Sequence, residues 1–230
     1  MSPSSHRETW FIRHSESVAN AGARTREASS YPLSEAGFRQ ADQLAAALPA
    51  EPDLVIVSPY VRARQTAEPA IRRFPRASVE EWPVHEVQYL DPVLCVDTTQ
   101  EERRELSSAY WQRCEPHHAA PGAESFIDFL TRVTDAVERL ARRPERRTFV
   151  FCHGQFMHAL AWLTVSRPAR IDSAAMRRFH QFIHGCTVPN CAILPLHVHG
   201  DGSRSVGGLW VPDGVEAGGT GIAQPGLAGV

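Results

Sequence analysis

The sequence predicts an α/β protein: a three-layer α/β/α sandwich around a mostly parallel central sheet. Three observations predict it. Short runs of β-branched and aromatic residues alternate with stretches of helical periodicity along most of the chain. Strands separated by helices demand parallel crossovers. A length of 230 residues is enough for one large buried core.

Residues 9–13 (TWFIR) read as a buried strand, and the polar, breaker-rich stretch from Ser15 to Pro32 as a loop. Helical periodicity begins at Ser34, with Ala41, Leu44, Ala45 and Leu48 on one face, and Pro49 and Pro52 close it. Residues 54–57 (LVIV) form a second strand. A helix to Arg73 follows, with Pro59 expected in its first turn, where a missing N–H costs little. A third strand is expected near 78–82, then an irregular region from Val84 to Asp97. Thr99 and Glu102 match a capping box and predict a helix from there to Arg113. Phe126, Phe129, Leu130, Val133, Val137 and Leu140 mark a long amphipathic helix after Ser125. Residues 148–152 (TFVFC) give the fourth strand, His153 and Gly154 a turn, and 155–165 and 173–184 two further helices. Strands are expected at 191–198 and 207–211. The organisation is therefore one domain over 1–211 and a Gly-rich stretch, 212–230, expected to be a frayed tail.

Charge narrows the function. A net charge of −2 offers no basic excess for nucleic acid or an anionic membrane, so neither is an expected partner. No apolar run approaches a membrane span, and Met1 to Glu8 lacks the apolar core of a signal peptide, so a cytoplasmic protein is expected. All 24 basic residues are Arg, which rules out a Schiff-base lysine and a P-loop. Any bound anion must then be held by Arg, His, backbone N–H groups or a metal. The five cysteines read as reduced thiols. The grouping of His180, His184, Cys186 and Cys191 misses the usual zinc spacings, so no metal is expected.

In a parallel sheet, ligands bind beyond the carboxyl ends of the strands. Those ends carry Arg13 and His14, then Ser58 to Arg62, then His153 and Gly154. Three strand ends thus offer two guanidiniums and two imidazoles to one rim, the makings of an anion site.

The same residues carry a resemblance. Residues 13–20 (RHSESVAN) resemble the R-H-G-E-x-x-x-N signature of the histidine phosphatase superfamily, the phosphoglycerate-mutase-like proteins. Residues 33–41 (LSEAGFRQA) resemble its L-T-x-x-G-x-x-Q-A helix start, and residues 58–67 (SPYVRARQTA) its S-P-x-x-R-x-x-Q-T-A segment. Residues 122–125 (GAES) and 151–154 (FCHG) resemble its later motifs, in the family's order. An Arg-His pair alone has no weight, since this composition produces about one by chance. The ordered set, each piece beside a predicted strand, is what identifies the family. Ser15 departs from its usual Gly.

Phosphoryl transfer to a side chain needs a neutral nucleophile, donors for the equatorial oxygens and an acid for the leaving oxygen. His14 is the candidate nucleophile, its pKa lowered by Arg13 and Arg62. Arg13, Arg62 and His153 are expected to bind the phosphoryl oxygens, a role the resemblance also implies. Asn20 and Gly154 join the phosphate-binding set, as does Ser17, with a capping role as its alternative. Position in the family implies Glu86 as the acid, with Glu80, Glu81 and Asp91 as competitors. Arg24 and Arg26, in the loop before Pro32, are candidates for a second anionic group of the substrate. Arg64 reads as an ordinary ion-paired helix residue. The expected activity is metal-independent, cofactor-free hydrolysis of a small phosphate monoester through phosphohistidine. A mutase-type phosphotransferase or isomerase and a non-catalytic phosphate-binding protein are the alternatives. The sequence does not give the oligomeric state.

Overall fold

The computed structural model describes residues 7–216. Its elements in chain order are β1 (Arg7–Arg13), α1 (Glu35–Ala47), β2 (Leu54–Val57), α2 (Val61–Arg73), β3 (Ser78–Glu81), α3 (Pro92–Cys95), α4 (Arg104–Arg113), α5 (Phe126–Ala141), β4 (Arg147–Cys152), α6 (Gly154–Ser166), α7 (Ser173–Gly185), β5 (Ile193–Val198) and β6 (Arg204–Val206). The strands form one six-stranded sheet in the order β3-β2-β4-β1-β5-β6. β3, β2, β4 and β1 run parallel, while β5 and β6 add antiparallel strands at one edge.

Alternation along the central strands gives the sheet two apolar faces and hence three layers. Phe11, Leu54, Ile56, Val150, Cys152, Leu194 and Leu196 pack with residues of α4, α5, α6 and α7 on one face. Trp10, Ile12, Val55, Val57, Phe149, Phe151 and Ile193 pack with α1 and α2 on the other. The exposed edge strand β3 is only four residues long and ends in two glutamates, which discourages pairing with another chain.

Several elements differ from the sequence expectation for local reasons. Tyr60 caps α2, so Pro59 lies before the helix and not in its first turn. Within the region read as irregular, Asp91 caps the short helix α3. Thr99 and Glu102 do make the reciprocal capping-box bonds, but these close an isolated turn and α4 begins only at Arg104. Gly154 starts α6, with His153 as its cap, so no separate turn intervenes. Cys191 adopts φ 61°, a left-handed conformation that excludes it from the strand, and β5 starts at Ile193. The last strand is 204–206 rather than 207–211. A tight turn with Gly202 at φ 80° sends the chain straight back along β5, and Gly207 then packs on Pro195, where a Cβ would come within 2.7 Å. Trp210 contributes only an isolated bridge to Ile193.

The predicted tail lies mostly outside the described residues. Of its first residues, Val215 is buried among α1 and α2 side chains, and the Glu216 N–H donates to Gln43 Oε1 at 3.0 Å. Among the described residues, no helix is long and apolar enough to cross a membrane.

Candidate active site

Strand register builds the site. Ile12 and Val57 both lie level with Phe151 of β4, so β1, β2 and β4 end at one rim. The next residues, His14, Ser58 and His153, emerge side by side, and the His14 N–H donates to Cys152 O at 3.0 Å. Arg13, His14, Arg62 and His153 are all buried. Burying two guanidiniums and two imidazoles at one rim is costly unless a ligand of opposite charge completes the set.

His14 has a defined tautomer. Its Nδ1 lies 2.6 Å from the Ser15 carbonyl, which can only accept, so Nδ1 carries the proton and Nε2 a lone pair. Arg62 Nε donates to that Nε2 at 3.1 Å. Burial, followed by the charges of Arg62 and Arg13, holds the His14 pKa well below that of an ordinary imidazole. His153 is depressed in the same way, by burial first and then by Arg62 and the neighbouring histidines. Its Nε2 meets Ser58 Oγ at 2.8 Å and its ring centroid lies 5.1 Å from that of His14. Among the described residues, the Nδ1 of His153 and the Nε of Arg13 are buried with no hydrogen-bond partner.

Arg62 is held rigidly. Its guanidinium lies over the rings of Tyr31 and Tyr60, 4.3 and 4.8 Å from their centroids, and Nη1 donates to Ala28 O at 2.6 Å. Arg13 donates to Val188 O and passes over Gly154, where a Cβ would sit 3.5 Å from its Nε. Glu86 accepts from the Gln155 N–H at the start of α6, at 3.1 and 3.3 Å. Burial raises its pKa, although Arg62, the Gln155 N–H and Arg13 pull the other way. A carboxyl of this kind can hold a proton and give it up. In the same cleft, a neutral imidazole whose Nε2 lone pair gives up the Arg62 N–H for phosphorus can attack an electrophile that bears negative charge.

A cleft of about 770 Å³ opens onto this group. Arg13, His14, Asn20, Arg26, Arg62, Glu86 and Gly154 line it. Three of the expected binding residues do not line the cleft, and the first of them, His153, is fully buried at the strand ends beside His14. Ser17 is buried and donates to Asn20 Oδ1 at 3.0 Å, so it orients Asn20. Arg24 points to the surface, where it pairs with Glu102 and donates to Asp97 O at 2.6 Å. The three competitors of Glu86 are also occupied elsewhere: Glu80 with Trp82 and Arg143, Glu81 with Arg64 at 2.8 Å, and Asp91 with the cap of α3. Among the described residues, no group of three or more His, Cys, Asp or Glu is placed to hold a metal ion.

The supporting residues were not assigned from sequence. Gln40 and Gln65 accept the Glu16 and Leu33 N–H groups at 2.8 Å and tie the 15–33 loop to α1 and α2. Gly37 is needed because a Cβ there would stand 1.9 Å from Glu16 O. Asn190 donates to His14 O at 2.9 Å from far along the chain. Ser15 is not among the residues with positive φ, so this position does not need the freedom of Gly. Its N–H donates to Thr66 Oγ1 at 2.9 Å, and Thr66 in turn donates to Arg62 O at 2.7 Å. Thr66→Val would preserve shape but strand the buried Ser15 N–H. It is expected to cost about 1–3 kcal/mol in chemical denaturation, and an unchanged midpoint would contradict the role given to Thr66.

Comparison with known proteins gives the family and the fold. The profile of the Histidine phosphatase superfamily (branch 1) matches residues 9–207. No curated protein matches the chain. Among solved structures, a putative alpha-ribazole-5'-P phosphatase from Escherichia coli is similar, with TM-score 0.68 and 23% identity over 91% of this chain and 99% of that one. A mycobacterial glucosyl-3-phosphoglycerate phosphatase aligns with TM-score 0.66 and 20% identity, covering 87% and 97%. YhfR of Bacillus stearothermophilus aligns with TM-score 0.69 and 23% identity, covering 87% and 95%. At these identities the likeness establishes a phosphoglycerate-mutase-like fold.

Proposed function

The chain belongs to the histidine phosphatase superfamily, and from that premise we propose that it hydrolyses a small phosphate monoester through a phosphohistidine on His14. The observation that carries this reading is the His14 Nε2 lone pair, held 3.1 Å from Arg62 Nε in a cleft that also presents Arg13 and Glu86. In the first step Nε2 attacks phosphorus and the ester oxygen leaves with the Glu86 proton. In the second, the Glu86 carboxylate takes a proton from water as it attacks the phosphohistidine, releasing phosphate and restoring His14. Arg13, Arg62, His153, Asn20 and Gly154 surround the phosphoryl oxygens and stabilise charge in the transition state. No step calls for a metal or another cofactor. Release of inorganic phosphate from a panel of monoesters tests the reading. Conversion of a substrate to its positional isomer without phosphate release would overturn it in favour of a mutase.

The shifts at His14 and Glu86 set the pH dependence. Activity needs His14 neutral and Glu86 protonated. A lowered His14 pKa moves the acid limb of kcat/KM below the ordinary imidazole value of about 6.5. A raised Glu86 pKa moves the alkaline limb above the ordinary carboxylate range. A bell with its optimum on the acid side of neutrality is expected, after allowance for the second ionisation of the substrate phosphate. Glu86→Gln should flatten the alkaline limb. An acid limb near pH 6.5, or an alkaline limb untouched in Glu86→Gln, would count against these assignments.

The cleft is much larger than a phosphate group needs, which supports a substrate with a sizeable organic part. Two of the structural neighbours are named for such substrates, an alpha-ribazole phosphate and a glucosyl phosphoglycerate. Arg26 lines the cleft and makes no ion pair among the described residues, whereas Arg24 is engaged with Glu102. Arg26→Ala should therefore lower kcat/KM by about 5-fold, a size limited by its exposure, for substrates with a second anionic group. Phenyl phosphate should be little affected, and equal losses on both would remove Arg26 from substrate selection.

A further inference from the structure

Glu86 hangs from a segment without regular structure, 82–91, and among the described residues its carboxyl accepts hydrogen bonds from the N–H groups of Gln155 and its neighbour Val87. Those bonds position the carboxyl but do not fix the backbone that carries it. The backbone is fixed from behind. Arg132 of α5 donates from Nη1 to Pro83 O at 2.8 Å and to His85 O at 2.9 Å. The same guanidinium makes a two-pronged pair with Glu124, Nη2 to Oε1 at 2.5 Å and Nε to Oε2 at 3.2 Å. Glu124 Oε1 also accepts the Gln88 N–H at 3.3 Å, and the Glu124 N–H donates to Gln88 O at 2.9 Å. The chain is thus gripped at 83 and 85 on one side of Glu86 and at 88 on the other.

The pair is largely sequestered, with side chains 13% and 19% exposed, and the Arg132 guanidinium lies 5.3 Å from the centroid of Phe129. Neither side chain lines the cleft. A planar guanidinium is suited to this arrangement because it serves two carbonyls and a carboxylate at once, which an ammonium cannot do. We propose that Glu124 and Arg132 form a clamp that aims the Glu86 carboxyl at the leaving oxygen. They are positioning residues, acting without touching substrate. The proposal rests on the reading of Glu86 as the proton donor.

A misplaced acid has a signature that general damage lacks. It slows departure of a leaving group that needs a proton and spares one that does not. kcat/KM is the appropriate quantity, because it reports steps only through the first phosphoryl transfer. The experiment compares an alkyl phosphate with dinitrophenyl phosphate in wild type, Arg132→Met, Glu124→Gln and Glu86→Gln. Arg132→Met is expected to lose about 10- to 100-fold on the alkyl ester and no more than about 2-fold on the dinitrophenyl ester. Glu124→Gln keeps an acceptor for the Gln88 N–H and should lose in the same direction by less. The ratio of the two kcat/KM values does not depend on how much of a variant is folded. Equal losses on both esters in Arg132→Met, or none, would overturn the clamp if Glu86→Gln does discriminate between them. If Glu86→Gln itself loses equally on both, Glu86 is not the donor and the clamp falls with that assignment.

Discussion

Replacing His14 with Ala is expected to lower kcat/KM by about 10⁴-fold or more, measured as phosphate release. The size follows from the lack, among the described residues, of a second imidazole between Arg13 and Arg62, since His180 and His184 line the cleft from α7. Cys95 lines the cleft, but burial raises its thiol pKa, which disfavours the thiolate. His153 is fully buried at the same strand ends, with its Nε2 engaged by Ser58 Oγ and its ring centroid 5.1 Å from that of His14. The substitution leaves the backbone bonds of residue 14 intact, including the Asn190 donation to its carbonyl, so the fold should survive. Added imidazole should enter the vacated space and restore a fraction of the activity. Release that persists undiminished would mean that His14 is not the nucleophile.

Arg62→Ala should cost about 10³-fold or more, because it removes a charged donor from the transferring phosphoryl group. It should also change the shape of the pH profile. After burial, the Arg62 charge is the next cause of the depressed His14 pKa. Without it the His14 pKa rises, more enzyme is protonated in mildly acidic solution, and the acid limb moves up toward neutrality. Arg62→Lys should recover little, since an ammonium cannot lie flat between Tyr31 and Tyr60 while donating to Ala28 O and the site together. An acid limb that stays in place in Arg62→Ala would contradict the electrostatic account of His14.

Some of this site could be read from the sequence, because the informative residues sit where topology makes position predictable. Arg13, His14 and His153 end or follow parallel strands whose register is level, and that follows from short apolar runs separated by helices. Arg62 was legible from its place in the first turn of the helix after β2. Glu86 was not legible in that way. Its strand, β3, is short and exposed, the following segment is irregular, and only its place in the family distinguished it from Glu80, Glu81 and Asp91.

The supporting shell was harder still. Asn190 reaches His14 from 176 residues away, and Thr66 serves Ser15 from 51, so neither pairing leaves a local pattern. Arg132 lies off the apolar stripe of α5, where a charged side chain is ordinarily solvated, yet it turns inward because Glu124 and two carbonyls await it. Arg24 and Arg26 are nearly adjacent, but Glu102 takes the first and leaves the second on the cleft. The misplaced final strand has the same origin. The turn at Gly202 sets its register, not the apolar residues 209–211.

The account stands on a covalent intermediate, and trapping it is the most direct test. Enzyme mixed with a radiolabelled monoester and quenched in alkali within one turnover should carry the label on the protein. The label should be stable to alkali, labile to acid and located on His14 by peptide mapping, as a phosphoramidate requires. A label stable to acid, or one on a residue other than His14, would contradict the account.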